Sequence, residues 1–309
     1  MARLAMNPFL LILLMVTATG LGAAEWKGLA DSFPAAALKI RQVDNPGKIG
    51  DIYVIQAPDG KTTLVDTGWN STGESVLIPA LERFGIHHID QVIITHQHDD
   101  HIGGLPALLA DPELDVGQIL WSPIPDEYLA KYAPAEYQNE LPYSQAALAM
   151  AARRRIPVRA LQLGETLDFG GGVTGEVLAV ARPETQVRSY VNNNSVVFRL
   201  KHGDFSMLFV GDQEREEEEW LLASGAQIAS DTLKVGHHGG NGSTCPHFLD
   251  AVNPKVAVVT SPEWVASMPL VVEVTGMLKE RGIPYFRSWE YGTLTIWSDG
   301  KAFGIVLEN

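Results

Sequence analysis

The chain has one cysteine, Cys245, in 309 residues, so no disulfide can form within it and no zinc site can use several thiolates. Charge is sparse: Asp, Glu, Lys and Arg make up 19% against 46% hydrophobic residues, which excludes an extended disordered chain. Bases are scarcer than acids, 23 Lys and Arg to 37 Asp and Glu, a formal charge of −14. A scaffold that grips nucleic acid by neutralising phosphates is basic, so that class is disfavoured. There is no G-x-S-x-G nucleophile elbow. Cys245 precedes Pro246 in a loop, and no neighbour marks it as an activated thiolate. No repeat, low-complexity tract or Pro/Gly/Ser-rich linker divides the chain. Chemistry must therefore draw on His, Asp, Glu or hydroxyls.

The longest apolar run stands at the start. Residues 1–24 carry Arg3 and no acid, then Phe9 to Val16 (FLLILLMV), then Gly20, Gly22, Ala23 and Ala24 ahead of Glu25. A short basic start, a stretch too brief to span a bilayer comfortably and a small-residue end predict a signal peptide cut near Ala24. An uncleaved anchor or a buried N-terminal helix is the alternative. Removal of Arg3 with the leader leaves a formal −15 on residues 25–309, exported to the periplasm or beyond. No second long apolar stretch follows, so no membrane attachment is expected after leader removal.

Short aliphatic and β-branched runs predict strands at 51–57, 62–68, 90–96, 195–200, 206–212, 232–238 and 255–261. Helical patterns fall between them at 75–85, 104–111, 144–155, 214–225 and 271–282. Asp59-Gly60 joins the first two runs as a hairpin. Hairpins early, then strands alternating with helices, predict an α/β fold of helices covering buried sheets, one domain over residues 25–309. Some local features imitate sites. Gly60-Lys61-Thr62 lacks the earlier glycine of a phosphate loop, Ile55 standing there, and Gly170-Gly171-Gly172 reads as a turn. Arg153-Arg154-Arg155 suits a helix C-terminus, and Glu216 to Glu219 suits the solvated face of a helix N-terminus.

The strands end in chemistry. TTLVD ends in Asp66, QVIIT leads to His96, MLFVG to Asp212 and LKVG to His237. In open α/β sheets, ligands bind beyond the carboxyl ends of strands. The segment Thr95-His96-Gln97-His98-Asp99-Asp100-His101-Ile102-Gly103-Gly104 sharpens this. His96 and His98 can share one side of an extended segment, and Asp100 and His101 can face a second point as the chain turns. Gly103 and Gly104 let the backbone pass close by before a helix. Three histidines and carboxylates form an N/O ligand set suited to zinc, with manganese or iron as alternatives. A functionless surface histidine cluster fits poorly with a place directly after a buried strand.

THQHDDHIGG resembles the HxHxDH signature of the metallo-β-lactamase superfamily, and VDTG before it and FVGD after it match the family's other stations in order. The segments 192–200, 208–212, 233–244 and 248–261 are similar to the C-terminal domain of the DNA-uptake competence protein ComEC and its stand-alone relatives. The likeness covers roughly residues 40 to 298. It implies an αβ/βα four-layer sandwich, a single domain with two divalent metal ions along one edge of the sheets. By position, His96 and His98 would bind the first metal, and Asp100, His101 and His237 the second, with Asp212 bridging. Asp66 would be the buried carboxylate that orients the histidine loop, and His238 would line the site as the rival of His237.

Departures from the family pattern are few. Residues 102–201 hold no histidine, where many members supply one, and Asn192 to Asn194 occupy that region. His202 belongs to a turn and is excluded as a ligand. His237-His238-Gly239-Gly240 replaces HHGS, Met268-Pro269 replaces a His-Pro, and Val43 to Asp51 is only a loose DVGQGD. The resemblance implies a metal-dependent hydrolase using a bridging hydroxide, with Asp100 or a metal-bound water moving the proton. Its expected substrate is a small molecule or short phosphodiester; stable duplex nucleic acid is not expected. The alternatives are lactam, lactone or other amide or ester hydrolysis, or a non-catalytic binding or DNA-uptake module with an incomplete metal site.

Overall fold

The computed structural model describes residues 14–17, 37–240 and 242–308. Most of the expected leader lies outside these residues; within it, the backbone of Leu14–Thr17 pairs antiparallel with 302–305. Two large sheets carry the fold. The first has nine strands, in order Leu14–Thr17, Ala302–Glu308, Thr293–Ser298, Leu38–Gln42, Tyr53–Gln56, Thr62–Val65, Gln91–Ile94, Ile119–Trp121 and Val158–Ala160. The second has seven, in order Thr166–Gly170, Val173–Ala179, Val197–His202, Phe205–Phe209, Thr232–Lys234, Val256–Val259 and Tyr285–Arg287. Each sheet is antiparallel in one half and parallel in the other.

The layering follows from alternation along buried strands. Val65 and Ile93 point into a central cluster shared with Met207, Phe209 and Val258 of the second sheet. Leu64, Val92 and Ile94 point the other way, onto Leu81, Leu105 and Leu108 of covering helices. Leu208 and Val210 likewise face Leu221, Leu249 and Leu278 beyond the second sheet. Successive side chains on a strand face opposite ways, so a strand covered on both sides reads as an unbroken apolar run. The result is helices, sheet, sheet, helices, the four-layer αβ/βα arrangement.

All seven predicted strand runs contain strands, and the Asp59-Gly60 hairpin joins Tyr53–Gln56 to Thr62–Val65. The helix expected from 144 reaches back to Pro134, through Pro142. Arg154, near its C-terminus, donates to the carbonyls of Leu109, Asp111 and Leu114, locking that helix to its neighbour. Among the described residues no helix is long and apolar enough to cross a membrane.

Candidate metal centre

The parallel halves of both sheets end at one edge. There the first sheet delivers Asp66 and the Thr95–His101 segment, and the second delivers Asp212, His237, His238 and Thr260. Asp66 adopts a left-handed conformation at φ 57, which a short polar side chain tolerates. Its carboxylate accepts the Thr95 N–H at 2.8 Å, the Thr95 hydroxyl at 2.7 Å and His101 Nδ1–H at 2.8 Å. Three donors from one loop fold that loop around a single buried anion. The exit from the loop is close-packed: a Cβ on Gly103 would lie 2.1 Å from Asp99 O, and one on Gly104 2.1 Å from Thr67 O. A larger residue at either position would force these backbone segments apart.

The focus of the site is one oxygen. Asp212 Oδ2 lies 3.2 Å from His238 Nε2, 3.3 Å from His101 Nε2, 3.9 Å from His237 Nε2 and 4.0 Å from His96 Nε2. Asp100 Oδ2 is 3.3 Å from His238 Nε2 and 3.9 Å from His101 Nε2. Ligand atoms of Asp100, His101, Asp212 and His238 lie within 4.8 Å of one another. His101 Nε2 and His238 Nε2 are buried and make no hydrogen bond, despite carboxylate oxygens this close. Their other nitrogens explain why. His101 Nδ1 bonds Asp66, and His238 Nδ1 donates to the Thr260 carbonyl at 2.7 Å. A carbonyl can only accept, so His238 holds its proton on Nδ1 and offers the Nε2 lone pair inward. Two buried lone pairs converging on two carboxylates fit a divalent cation.

Electrostatics agree with that reading. Burial disfavours charge on His238, but the carboxylates of Asp212 and Asp100 close to Nε2 outweigh it and push the ring up to about 9. Burial likewise opposes charge on His101, and Asp212, Asp100 and Asp66 overcome it. Protons on these rings stand in for a cation, so metal binding should release them. Asp100 is opposed by burial too, yet His101 and His238 hold its carboxyl down at about 2. His96 is pulled well below the usual imidazole range by burial and then by His101 and His98, which keeps it neutral and able to ligate.

Two residues that sequence reasoning did not place here hold Asp212 from behind. Lys234 Nζ is buried and lies 2.5 Å from Asp51 Oδ2, 3.2 Å from Asp212 Oδ1 and 2.6 Å from Gly211 O. Asp51 also accepts the Thr260 hydroxyl, whose backbone carbonyl orients His238. Asp212 thus gives Oδ1 to the protein and leaves Oδ2 to the histidines. A lysine within the apolar strand Thr232–Lys234 was the available signal; Asp51 stands before its strand instead of after it, which hid it.

His237, expected as the ligand, stands farther from Asp212 than its neighbour His238, at 3.9 Å against 3.2 Å. Both residues are left-handed, at φ 40 and φ 54, and this double turn sends the two rings apart. His237 Nδ1 lies 3.0 Å from Glu214 Oε1, and its ring is partly exposed, while His238 is buried against Thr260. His238→Ala should weaken metal binding by on the order of 10- to 100-fold more than His237→Ala. Calorimetric titration with zinc, on variants whose folding is checked by circular dichroism, measures this. Equal losses would restore His237 to the ligand set.

The Glu216 to Glu219 run is also corrected, because Glu217 and Glu218 are buried instead of solvated. Glu217 pairs with Arg182, and Glu218 accepts the N–H groups of Thr244 and Cys245, at the close of the loop that carries the two histidines. Burial lifts both carboxyls to about 7. Cys245 is inert for the same reason: burial, then Glu218, raise its thiol to about 11.

Over residues 45–260 the sequence matches the metallo-beta-lactamase superfamily. The chain belongs to this superfamily. It is 28% identical to ComE operon protein 3 of Bacillus subtilis over 261 residues, which are 79% of this chain and 31% of that protein. It is 26% identical to competence protein ComA of Neisseria gonorrhoeae over 292 residues, 91% of this chain and 37% of that one. The chain thus spans about a third of the length of these ComEC-type relatives. Among solved structures, a CmlA beta-hydroxylase mutant superposes with a TM-score of 0.51 at 16% identity, covering 85% of this chain and 54% of that one, which shows the shared fold.

The other half of this metallo-β-lactamase site departs from the family pattern where the sequence does. His96 Nε2 lies 3.0 Å from His98 Nδ1, forming a histidine pair beside Asp212. Glu136, on the helix Pro134–Arg154, comes to 3.9 Å of His98 Nε2. The asparagines divide their work. Asn192 Nδ2 lies 3.2 Å from Glu214 and 3.3 Å from His237, at the site's margin. Asn193 Oδ1 accepts the N–H groups of Glu214 and Glu217, and Asn194 ties Arg182 N to Tyr190 O. His202 sits at the end of Val197–His202, beside Gly300, in the hairpin that sequence reasoning assigned it.

Proposed function

We propose that the chain is an exported, binuclear metal-dependent hydrolase of phosphate esters or phosphodiesters. The observation that carries this reading is the convergence of four histidine nitrogens on Asp212 Oδ2 while Lys234 holds Oδ1. His96, His98 and Asp212 would hold one ion, and Asp100, His101, His238 and Asp212 the other. Divalent ions there supply Lewis acidity toward the ester and a water nucleophile near neutral pH. The protein's own groups do the rest. Asp66 and Thr260 fix the tautomers of His101 and His238, so neither ring reorganises during turnover. Asp100, ionised at neutral pH and on the solvent side of the cluster, can pass a water proton outward. Bound cations also supply the positive charge that a formal −14 chain lacks. Export rests on the flanks of the 1–24 segment.

Metal analysis followed by assay with bis-(p-nitrophenyl) phosphate and a chromogenic cephalosporin tests the proposal. Two divalent ions per chain and phosphodiester turnover are expected, with turnover lost to a chelator and restored by added divalent ions. Lactam turnover alone would sink the phosphoester reading. Fewer than two ions and no turnover of either compound would favour a binding module.

A further inference from the structure

Beside the metal centre, Ile49, Val265, Met268 and Leu270 wall a cleft of about 430 Å³ that His237 and His238 also line. Apart from those two histidines, no acidic or basic side chain lines it. The size is that of a small-ligand pocket. Its lip is apolar as well. Among the described residues seven large hydrophobics are exposed; two of them, Met268 and Leu270, line this cleft, and two more, Trp264 and Val272, lie close to them in sequence. Exposed apolar surface concentrated in this way marks a binding surface more than chance scatter. Leu270 also borders a second cavity of about 510 Å³, lined by Arg188, Arg215, Asn193, Glu214 and Glu216. Glu214 bonds His237, so the two cavities meet at the histidines. One side of the site is hydrocarbon-like, and the other carries two guanidinium groups beside the carboxylates of Glu214 and Glu216.

We propose that the substrate is a phosphoester bearing a hydrocarbon group, with the hydrocarbon in the Ile49–Leu270 cleft and the anionic remainder facing Arg188 and Arg215. This rests on the hydrolase reading and names its substrate class. A polyanion threaded along the same path would meet no lysine or arginine in the cleft and would bury phosphates against its aliphatic walls, which is costly. An alkyl group there instead gains from leaving water. In hydrolysis of a p-nitrophenyl alkyl phosphate, the bond from phosphorus to the nitrophenolate oxygen breaks and a bond from phosphorus to the water oxygen forms. The nitrophenolate and the alkyl phosphate carry the charge, and the water protons pass to solvent.

The test is a series of p-nitrophenyl alkyl phosphates, methyl to octyl, with the metal-loaded full chain. The value of kcat/KM should rise about three- to fourfold per methylene until the cleft is filled. Met268→Gln with Leu270→Gln, both at exposed positions, should flatten the rise to under about twofold per methylene, with metal content and the circular dichroism spectrum unchanged. Calorimetry with octylphosphonate and methylphosphonate gives a readout independent of turnover. The octyl compound should bind at least about 50-fold more tightly, with a negative heat-capacity change that the double variant loses. A flat series with the methyl ester hydrolysed overturns this inference and leaves the hydrolase standing, as does faster cleavage of a thymidine dinucleotide than of the octyl ester. Tight octylphosphonate binding with no ester hydrolysed overturns the hydrolase reading and supports the cleft's ligand class.

Discussion

Lys234→Met should cost about 3–5 kcal/mol of stability, because it removes the one lysine among three buried carboxylates. Lys234 is 1% exposed, and its ammonium contacts Asp51 and Asp212 at once. Burial alone would lower its pKa, but Asp51 and then Asp212 raise it above the ordinary value. A raised lysine pKa means that this stabilisation is fully present at neutral pH and is lost only as pH rises through the elevated value in strong alkali. Removing the ammonium leaves Asp51, Asp66 and Asp212 facing one another with His101 and His238 as the remaining counter-charges. The melting temperature should fall by about 6–20 °C. Adding Asp51→Asn should recover part of the loss, since it removes one of the orphaned charges. Thermal melts of the metal-free and metal-loaded variants measure both effects. A loss below about 1 kcal/mol would show that the lysine is a bystander.

Asp212→Asn should abolish binuclear metal binding and lower phosphodiester turnover by on the order of 10³-fold, about 4 kcal/mol in the barrier. The substitution keeps the shape of the side chain and removes the charge on the oxygen that four imidazole nitrogens surround. The fold should survive better than with Lys234→Met, because a buried anion is removed and Lys234 keeps Asp51 and the Gly211 carbonyl. Metal content per chain, read beside steady-state rates, separates loss of ions from loss of chemistry. Retention of two ions with full turnover would remove Asp212 from the site.

The strands that carry the site were legible because each is buried on both faces, so its apolar run is unbroken and its end is marked by the first polar residue. Asp66, His96, Asp212 and the His237-His238 pair were found at those ends for that reason. Buried polar residues away from strand ends carry no such mark. Glu217 and Glu218 look identical in sequence to their neighbours at 216 and 219, and only the tertiary contacts with Arg182 and with Thr244 and Cys245 put them inside. The helix Pro134–Arg154, which brings Glu136 to His98, begins before the apolar spacing becomes regular and runs through Pro142.

The sequence by itself determined the ligand chemistry: one cysteine, histidines spaced on a segment after a buried strand, and a carboxylate at the end of another. Strand periodicity and residue type suffice for that, since both are local. Only the tertiary structure decided which of two adjacent histidines turns inward, and that Lys234 and Asp51 stand behind Asp212. It also decided that an aliphatic cleft opens beside the same rings. Those depend on which way each side chain leaves a left-handed turn and on what the opposite sheet presents to it. Sequence spacing cannot encode a distance between two sheets; the packing of the shared core fixes it.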